Sequence, residues 1–374
     1  MLTALCRALI LASLLAASGA AASDVRLGFA NPFSGPYAAS GEQNRIAVRL
    51  AVETLNQSGG VLGRQVRLVT VDDVCDVERA PAAALELVEA GVVAVIGHMC
   101  SHASLVAAPI YEAAGIPMLT PDSTHPRVTE EGRANVFRLI GRDDDQGRMA
   151  GDLLARLSPA RPIAIIHDES TYGSGLAWET RDALRRNGVH EALFATYTTG
   201  TMDYAALIEQ LVKARIGILY VAGYGPDAGR IARAARALGS EPRYVGGDGL
   251  GMPEFWTEAG TAGEGAVFTT RPDLADSPGA ASVLAALHTL GVTTQSTVLG
   301  YYAALQVWAE AVTRAGTPDP ATVTTTLHRG RFASVLGRVG FDEKGDVIGA
   351  TWQWQVWRDG RYAPLPARLA MGQR

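Results

Sequence analysis

The stretch from Gly91 to His102 constrains the fold more than any other, because it joins two patterns of different period. Val92 to Ile96 is a short apolar run rich in β-branched residues, which predicts a strand buried on both faces. From Ser101 onward apolar residues recur at helical spacing, so Ser101 stands at a predicted helix N-cap directly after a parallel strand. Ligands of open α/β sheets bind at the edge formed by the carboxyl ends of the strands, where a helix N-terminus offers N–H groups to an anion. A capping role alone for Ser101 remains an alternative.

The same alternation of strand and helix continues along the chain. Further strands are predicted at 25–30, 66–71 and 116–119, with helices at 41–57 and 80–90. Short links between alternating elements are typical of a parallel, doubly wound sheet. A second alternating series follows the first. We therefore predict an α/β fold with two doubly wound parallel-sheet lobes joined by a hinge.

The last third of the chain is expected to pass back between the two lobes. A long helix is predicted from Ser296 to Ala315, and strand-like runs lie between Val335 and Trp357. The predicted division assigns residues 23–142 plus 271–342 to lobe 1 and residues 143–270 plus 343–374 to lobe 2.

Residues 1–22 have the pattern of a cleaved secretory signal peptide. Arg7 supplies a positive charge, residues 8–17 are apolar, and Ala20 to Ala22 form a small-residue cleavage site. We expect the mature chain to begin at Ser23 and to be exported.

Export leaves Cys75 and Cys100 as the only cysteines of the mature chain, and an oxidising compartment favours their pairing. A disulfide closing this loop of about 25 residues would contribute roughly 3–3.5 kcal/mol. A metal site at His98, Cys100 and His102 is the alternative. Two histidines four residues apart need a continuous helix to share a metal, whereas this stretch crosses a strand end. We therefore expect a disulfide and no metal.

Charge and motifs argue against several classes of function. The net charge is −5 and Lys213 and Lys344 are the only lysines, so the sequence has no basic patch for nucleic acid and no polybasic membrane anchor. It contains no Gly-x-Ser-x-Gly, Walker or His-Glu-x-x-His motif. His167 and Asp168 are adjacent at a strand end, and we interpret them as structural. The sequence thus predicts no enzyme activity and no cofactor.

Five polar or aromatic residues each follow the carboxyl end of a predicted strand. Ser101 and Thr124 belong to one lobe, and Tyr172, Tyr224 and Asp248 belong to the other. Hydroxyls and helix N–H groups facing a carboxylate suit a zwitterion, with the α-carboxylate on one wall and the α-ammonium on the other. Two alternatives remain: Asp248 could simply cap a turn, and the tyrosines could be edges of the core.

Stretches spread from Val25 to about Trp357 resemble the leucine/isoleucine/valine-binding proteins of bacterial ABC importers, which are type I periplasmic binding proteins. The stretches that carry the resemblance are Ser34-Gly-Pro36, Asp72-Asp-Val-Cys75, Val95-Ile-Gly-His-Met-Cys-Ser101, Ile163-Ala-Ile-Ile-His-Asp168 with Tyr172-Gly173, Gly223-Tyr224, Gly247-Asp-Gly249 and Phe341-Asp-Glu-Lys-Gly-Asp346.

The resemblance implies a role for each residue that matches the family's motifs. Ser101 and Thr124 would hold the ligand carboxylate, with help from main-chain groups of Ser101 and Asp122. Asp248 and Tyr224 would hold the ammonium, and Tyr172 would close over the ligand from the second lobe. Cys75 and Cys100 match the family's disulfide pair. The other residues expected to bind the ligand are Ser40, Met99, Ser123 and Thr297.

The sequence departs from the family pattern at three of these positions. The acid that holds the ammonium is often Glu in relatives and is Asp248 here. Ser40 and Thr297 stand where relatives often present aromatic side chains. Smaller residues predict a wider pocket, in which ligands larger than leucine bind at least comparably.

The function implied by the resemblance is that of a periplasmic solute-binding protein. It would capture an amino acid, branched-chain or otherwise apolar, and deliver it as a monomer to an inner-membrane ABC permease. A binder of an amide, urea or an organic acid is the alternative within the fold. A sensor that presents its ligand to a membrane receptor is the alternative from another class.

Overall fold

The computed structural model describes residues 23–158, 161–272, 278–292 and 296–366. The predicted signal peptide lies outside the described residues. Among the helices that are described, none is both long enough and apolar enough to cross a membrane.

The first sheet has five parallel strands in the order β2-β1-β3-β4-β5. This order places its topological switch point between β1 and β3, where a ligand crevice is expected. The strands are β1 (Val25–Asn31), β2 (Val66–Asp72), β3 (Val95–Ile96), β4 (Met118–Thr120) and β5 (Val136–Arg138). The helices in this part of the chain are α1 (Ala38–Gln57), α2 (Arg79–Glu89), α3 (Ser101–Ala113) and α4 (Arg127–Glu130).

The second sheet has seven strands in the order β14-β13-β10-β9-β8-β6-β7. From β7 to β10 its strands are parallel and repeat the winding order of the first sheet, whereas β13 and β14 are antiparallel. The strands are β6 (Ile163–His167), β7 (Leu193–Thr196), β8 (Ile218–Ala222), β9 (Arg243–Gly246), β10 (Val267–Thr270), β13 (Gln353–Arg358) and β14 (Arg361–Pro364). The helices are α5 (Asp143–Leu157), α6 (Thr171–Arg186), α7 (Ala205–Lys213), α8 (Gly225–Ala237) and α9 (Pro253–Ala259).

After β10 the chain returns to the first sheet, as the sequence predicted. The long helix has the predicted bounds, and its Tyr301 and Trp308 are buried in one core with Phe29 and Val48. The predicted division into residue ranges remains a prediction. The elements here are α10 (Pro278–Thr289), α11 (Ser296–Ala315), α12 (Pro320–Arg329), β11 (Arg331–Ser334) and β12 (Gly337–Gly340).

Two details near the strand ends differ from the sequence prediction. Cys100, not Ser101, is the N-cap of α3, and the Ser101 hydroxyl instead accepts a hydrogen bond from the His125 N–H at 3.2 Å. The sequence pattern predicts a helix from about Leu176 to Asn187 after β6, but helix α6 already begins at Thr171, because the Ser170 hydroxyl caps it by accepting from the Gly173 N–H. Tyr172 therefore lies in the first turn of a helix.

A buried ion pair joins the last part of the chain to β5. The Arg138 side chain is fully buried, and its Nε donates to Asp346 Oδ1 at 2.7 Å. Arg138 Nη1 also donates to the carbonyl oxygens of Thr124 at 3.0 Å and His125 at 2.7 Å. Burial alone would raise the pKa of Asp346, but the Arg138 charge and hydrogen bonds from Arg138 and Arg142 lower it overall. The predicted boundary after residue 342 would assign Asp346 to lobe 2, although its partner Arg138 belongs to lobe 1.

We expect Asp346→Asn to lower the free energy of unfolding by about 3–5 kcal/mol, because it leaves the buried Arg138 guanidinium without a counter-charge. Urea unfolding near neutral pH measures this loss. The matched control is Glu343→Gln, which removes an exposed carboxylate from the same loop and should change stability by less than about 0.5 kcal/mol. Equal stability of the two variants would show that the ion pair does not anchor the loop.

Candidate functional site

A cavity of about 50 Å³ lies between the carboxyl edges of the two sheets. Every predicted ligand-binding residue except Ser123 lines it. The first lobe contributes Ser40, Met99, Ser101, Asp122 and Thr124. The second lobe contributes Tyr172, Tyr224 and Asp248, and the first turn of α11 contributes Thr297. Their roles toward a ligand remain predictions.

The N-terminus of α3 provides one wall with hydrogen-bond donors. The N–H groups in the first turn of a helix have no carbonyl acceptor within that helix. The Ser101 hydroxyl uses an acceptor position for His125, so its proton remains available to a ligand. A carboxylate placed here would meet main-chain N–H groups, a hydroxyl and the positive end of the helix dipole.

Hydrogen bonds to a single carbonyl hold the loops of this wall together. The His98 carbonyl oxygen accepts from Thr120 Oγ1 at 2.9 Å and from Ser123 Oγ at 3.1 Å. The His98 ring is fixed in turn between Asp73 Oδ2 at 2.6 Å and the Tyr111 hydroxyl at 3.0 Å. Ser123 is fully buried behind the wall, so the contact with the ligand that was predicted for it remains untested.

The predicted disulfide is present between Cys75 and Cys100, whose Cα atoms are 5.6 Å apart. It ties the N-cap of α3 to the loop that follows β2. His102 lies against it and its Nε2 is 2.7 Å from the Cys75 carbonyl oxygen. Because the two sulfurs are bonded to each other, neither is available as a thiolate ligand.

Asp248 provides the acidic group of the opposite wall. Its Oδ1 accepts hydrogen bonds from the Tyr172 hydroxyl at 2.7 Å and from Gln146 Nε2 at 2.9 Å. Both of these bonds go to Oδ1, and the N–H groups of Asp248 and Gly249 lie close enough to the carboxylate to favour its ionised form, but no described residue reaches Oδ2 at hydrogen-bonding geometry. Gly247 is the N-cap of the short 3-10 turn that Asp248 begins, and no side chain caps that turn. The structure therefore does not support the alternative in which Asp248 merely caps a turn.

The two predicted tyrosines form an aromatic surface beside Asp248. The Tyr172 hydroxyl accepts from the Gly249 N–H at 3.0 Å while it donates to Asp248. The Tyr224 ring lies between those of Tyr172 and Tyr37, with ring centroids 5.0 Å from each. The Tyr224 hydroxyl is shielded from solvent and has no partner in the described part of the chain.

The acidic groups around the cavity oppose one another's ionisation. Burial raises the pKa of Asp248, and burial together with the Asp248 charge raises the pKa of Asp143, which lies behind it. Burial also raises the pKa of Asp122 to about 7, with a smaller increase from Asp248. An ammonium group between these residues would favour their ionised forms.

Glu254 of the facing lobe hydrogen-bonds to Ser40, the small residue that was expected to widen the pocket. Its Oε1 accepts from the Ser40 N–H at 2.7 Å and its Oε2 from the Ser40 hydroxyl at 2.7 Å. These bonds join α9 of one lobe to α1 of the other. Ser40 still lines the cavity, so the pocket widened at this position stays a prediction, and the contact with Glu254 limits how far the space beside Ser40 can open.

The sequence interpretation missed several residues that build the site. Asn44 lines the cavity and lies one helical turn after Ser40, so the period of α1 could have identified it. Gln146, which holds Asp248, belongs to the run of polar residues at the start of α5. No motif indicated Glu254, because its partner Ser40 is 214 residues away.

Comparison with known proteins places the chain in a family. Residues 24–361 match the family model described as periplasmic binding protein. The chain belongs to the periplasmic binding protein family. An amino acid binding protein of Pseudomonas aeruginosa is 36% identical over 363 residues, covering 96% of this chain and 97% of that protein. A Leu/Ile/Val-binding protein homolog of Brucella suis is 35% identical over 356 residues, covering 94% of this chain and 96% of the homolog.

Solved structures of periplasmic binding proteins share the fold. A leucine binding protein from Thermotoga maritima has a TM-score of 0.83 at 27% identity and covers 91% of this chain and 98% of its own. A substrate-binding protein from Desulfitobacterium hafniense in complex with Leu has a TM-score of 0.74 at 28% identity. The match covers 91% of this chain and 100% of that protein. The predicted fold class is confirmed.

The raised pKa of Asp122 predicts how stability depends on pH without ligand. The pKa rises from 3.8 to about 7 on folding, so the folded protein binds the proton more tightly and loses stability as pH rises through that window. Asp122→Asn should therefore be more stable than the wild type at pH 8, with the difference shrinking toward pH 4.5. Urea unfolding at both pH values measures this. The same difference at both pH values would contradict the burial of this carboxylate.

Proposed function

We propose that this protein captures a free amino acid in the periplasm and delivers it to an inner-membrane ABC permease, without catalysing a reaction. The Pseudomonas and Brucella relatives are named for binding amino acids, and the family is one of binding proteins. Export would depend on the signal peptide predicted at residues 1–22. The predicted residue ranges for lobes 1 and 2 belong to this proposal, with Asp346 moved to lobe 1.

The observation that carries the proposal is the pairing of two complementary walls around one cavity. The N-terminus of α3 offers donors on the first lobe, and Asp248 Oδ2 on the second offers an acceptor that no described residue reaches at hydrogen-bonding geometry. The α-carboxylate and α-ammonium of an amino acid would satisfy both walls together. A ligand without an amino group would leave Asp248 unpaired in a closed cavity, so an amide, urea or organic acid fits less well.

The contacts between the lobes support a hinge motion that closes around the ligand. One core cluster includes Met99, Cys100 and Ala103 from the first lobe together with Tyr172 and Tyr224 from the second. The bonds between Ser40 and Glu254 add a polar contact across the same cleft. Ligand entry would require these contacts to separate, and ligand binding would favour their return.

Replacing Asp248 with Asn tests the ammonium contact. Removing one partner of a buried, hydrogen-bonded charge pair costs about 2–5 kcal/mol, which is at least roughly 25-fold in affinity. Calorimetry of wild type and Asp248→Asn should show this loss for the amino acid that binds tightest among the twenty. The deaminated analogue of that amino acid should bind poorly to both proteins, with little difference between them.

The matched control is Asp203→Asn, which removes an exposed carboxylate and should leave the affinity unchanged. Unchanged amino-acid affinity in Asp248→Asn would refute the ammonium contact. Tight binding of the deaminated analogue to the wild type would favour an organic-acid binder instead.

A further inference from the structure

We propose that Glu254 is a positioning residue that stabilises the closed arrangement of the two lobes and so slows the release of a bound amino acid, without contacting the amino acid itself. This inference rests on the proposed function, since it assumes that an amino acid is enclosed between the lobes. It assigns part of the binding affinity to a single contact outside the lining of the cavity.

The Glu254 carboxylate holds two different groups of one residue on the facing lobe. Its Oε1 accepts from the Ser40 main-chain N–H and its Oε2 accepts from the Ser40 hydroxyl, both at 2.7 Å. Ser40 and Glu254 are both buried, so little water competes for these bonds. Hydrogen bonds to an ionised acceptor are stronger than those between neutral groups.

The start of α1 has no side-chain cap within its own lobe. Tyr37 is the N-cap of this helix, its side chain makes no capping hydrogen bond, and no acidic residue lies in the first turn. The N–H groups of a first turn lack acceptors inside the helix and carry a partial positive charge. Glu254 provides the missing acceptor and a negative charge, but only while the second lobe lies against α1.

The same end of α1 meets the second lobe through a ring contact. The ring centroids of Tyr37 and Tyr224 are 5.0 Å apart, and Tyr224 lines the cavity. Separation of the lobes would break the ring contact and the Ser40 hydrogen bonds together. Water would then replace Glu254 as the partner of the helix, so the two hydrogen bonds favour closure by the difference between these partners.

The charge of Glu254 is directed at Ser40 rather than at a basic side chain. In the part of the chain that the structure describes, Glu254 forms no ion pair with an arginine or a lysine. Burial raises the pKa of Glu254, whereas the hydrogen bonds from the Ser40 hydroxyl and N–H partly lower it again. Removing this carboxylate should therefore act chiefly on the contact with Ser40.

Glu254 is not placed to bind the amino acid directly. Met252 and Pro253 line the cavity, but Glu254 does not, and both of its oxygens are occupied by Ser40. A residue that acts through closure alone should change the affinity for every amino acid by the same factor. A residue that touches the ligand would instead change the preference among amino acids.

The test compares wild type and Glu254→Ala with the two amino acids, among the twenty, that bind the wild type most tightly. Calorimetry should show that both affinities fall about 10–100-fold, with their ratio unchanged to within about threefold. Stopped-flow fluorescence should show that the dissociation rate rises by about the same factor while the association rate changes less than about threefold, because the lobes must separate before release.

Three further variants separate closure from folding. Glu254→Gln retains the shape and one carbonyl acceptor, so its affinity should fall less, by about 3–10-fold. The control Glu209→Ala removes an exposed carboxylate from α7 of the same lobe and should leave affinity and dissociation rate unchanged. In a Ser40→Ala background, which already lacks one of the two bonds, Glu254→Ala should reduce affinity by a smaller factor than in the wild type.

Each other outcome has a definite meaning. Unchanged affinity in Glu254→Ala would overturn the inference while leaving the proposed function standing. A loss that differs more than threefold between the two amino acids, or one that lies in the association rate, would also overturn it. Urea unfolding without amino acid shows whether each variant folds, and if Glu254→Ala does not fold, Glu254→Gln decides by the same criteria. If no amino acid binds to the wild type, the proposed function fails and this inference fails with it.

Discussion

The buried contact between Arg138 and Asp346 is the interaction on which the site most depends. Arg138 lies at the end of β5, and its guanidinium binds the carbonyl oxygens of Thr124 and His125 while it pairs with Asp346. One side chain thus fixes the loop that carries Asp122 and Thr124 and holds the returning chain against the first sheet. Both partners are shielded from water, so their electrostatic attraction is weakly screened. Removing one of them would leave the other as an unpaired buried charge, which would destabilise the fold.

The site combines a wall held by a disulfide and hydrogen bonds on the first lobe with an acidic wall on the second. The disulfide and the His98 hydrogen bonds fix the N-terminus of α3 without using its free N–H groups. On the facing lobe Tyr172 and Gln146 hold one oxygen of Asp248 and leave the other available. In the structure Ser40 and Glu254 bond across the cleft between the two walls. Under the proposed function a zwitterion would satisfy both walls only when the lobes are closed, which would couple binding to closure.

The sequence predicted what depends on local pattern and missed what depends on distant contacts. Strand-to-helix transitions placed five residues at the carboxyl edges of the two sheets, because parallel strands of one sheet share their carboxyl ends; the residues are Ser101 and Thr124 in the first lobe and Tyr172, Tyr224 and Asp248 in the second. The N-cap of α3 was misassigned by one residue, since loop geometry decides which residue leaves the helical conformation. The pairs Ser40–Glu254 and Arg138–Asp346 span 214 and 208 residues, and no local pattern indicates such partners. The side-chain environment of Asp122 likewise depends on α11, far along the chain.

A crystal structure of the protein with its tightest-binding amino acid is the most direct measurement. We predict an α-carboxylate at the N-terminus of α3 within hydrogen-bonding distance of the Ser101 hydroxyl. The α-ammonium should lie within the same distance of Asp248 Oδ2, with both lobes closed over the ligand. An amino acid bound outside this cavity, or bound inside it with its ammonium away from Asp248, would contradict the assignment of the two walls.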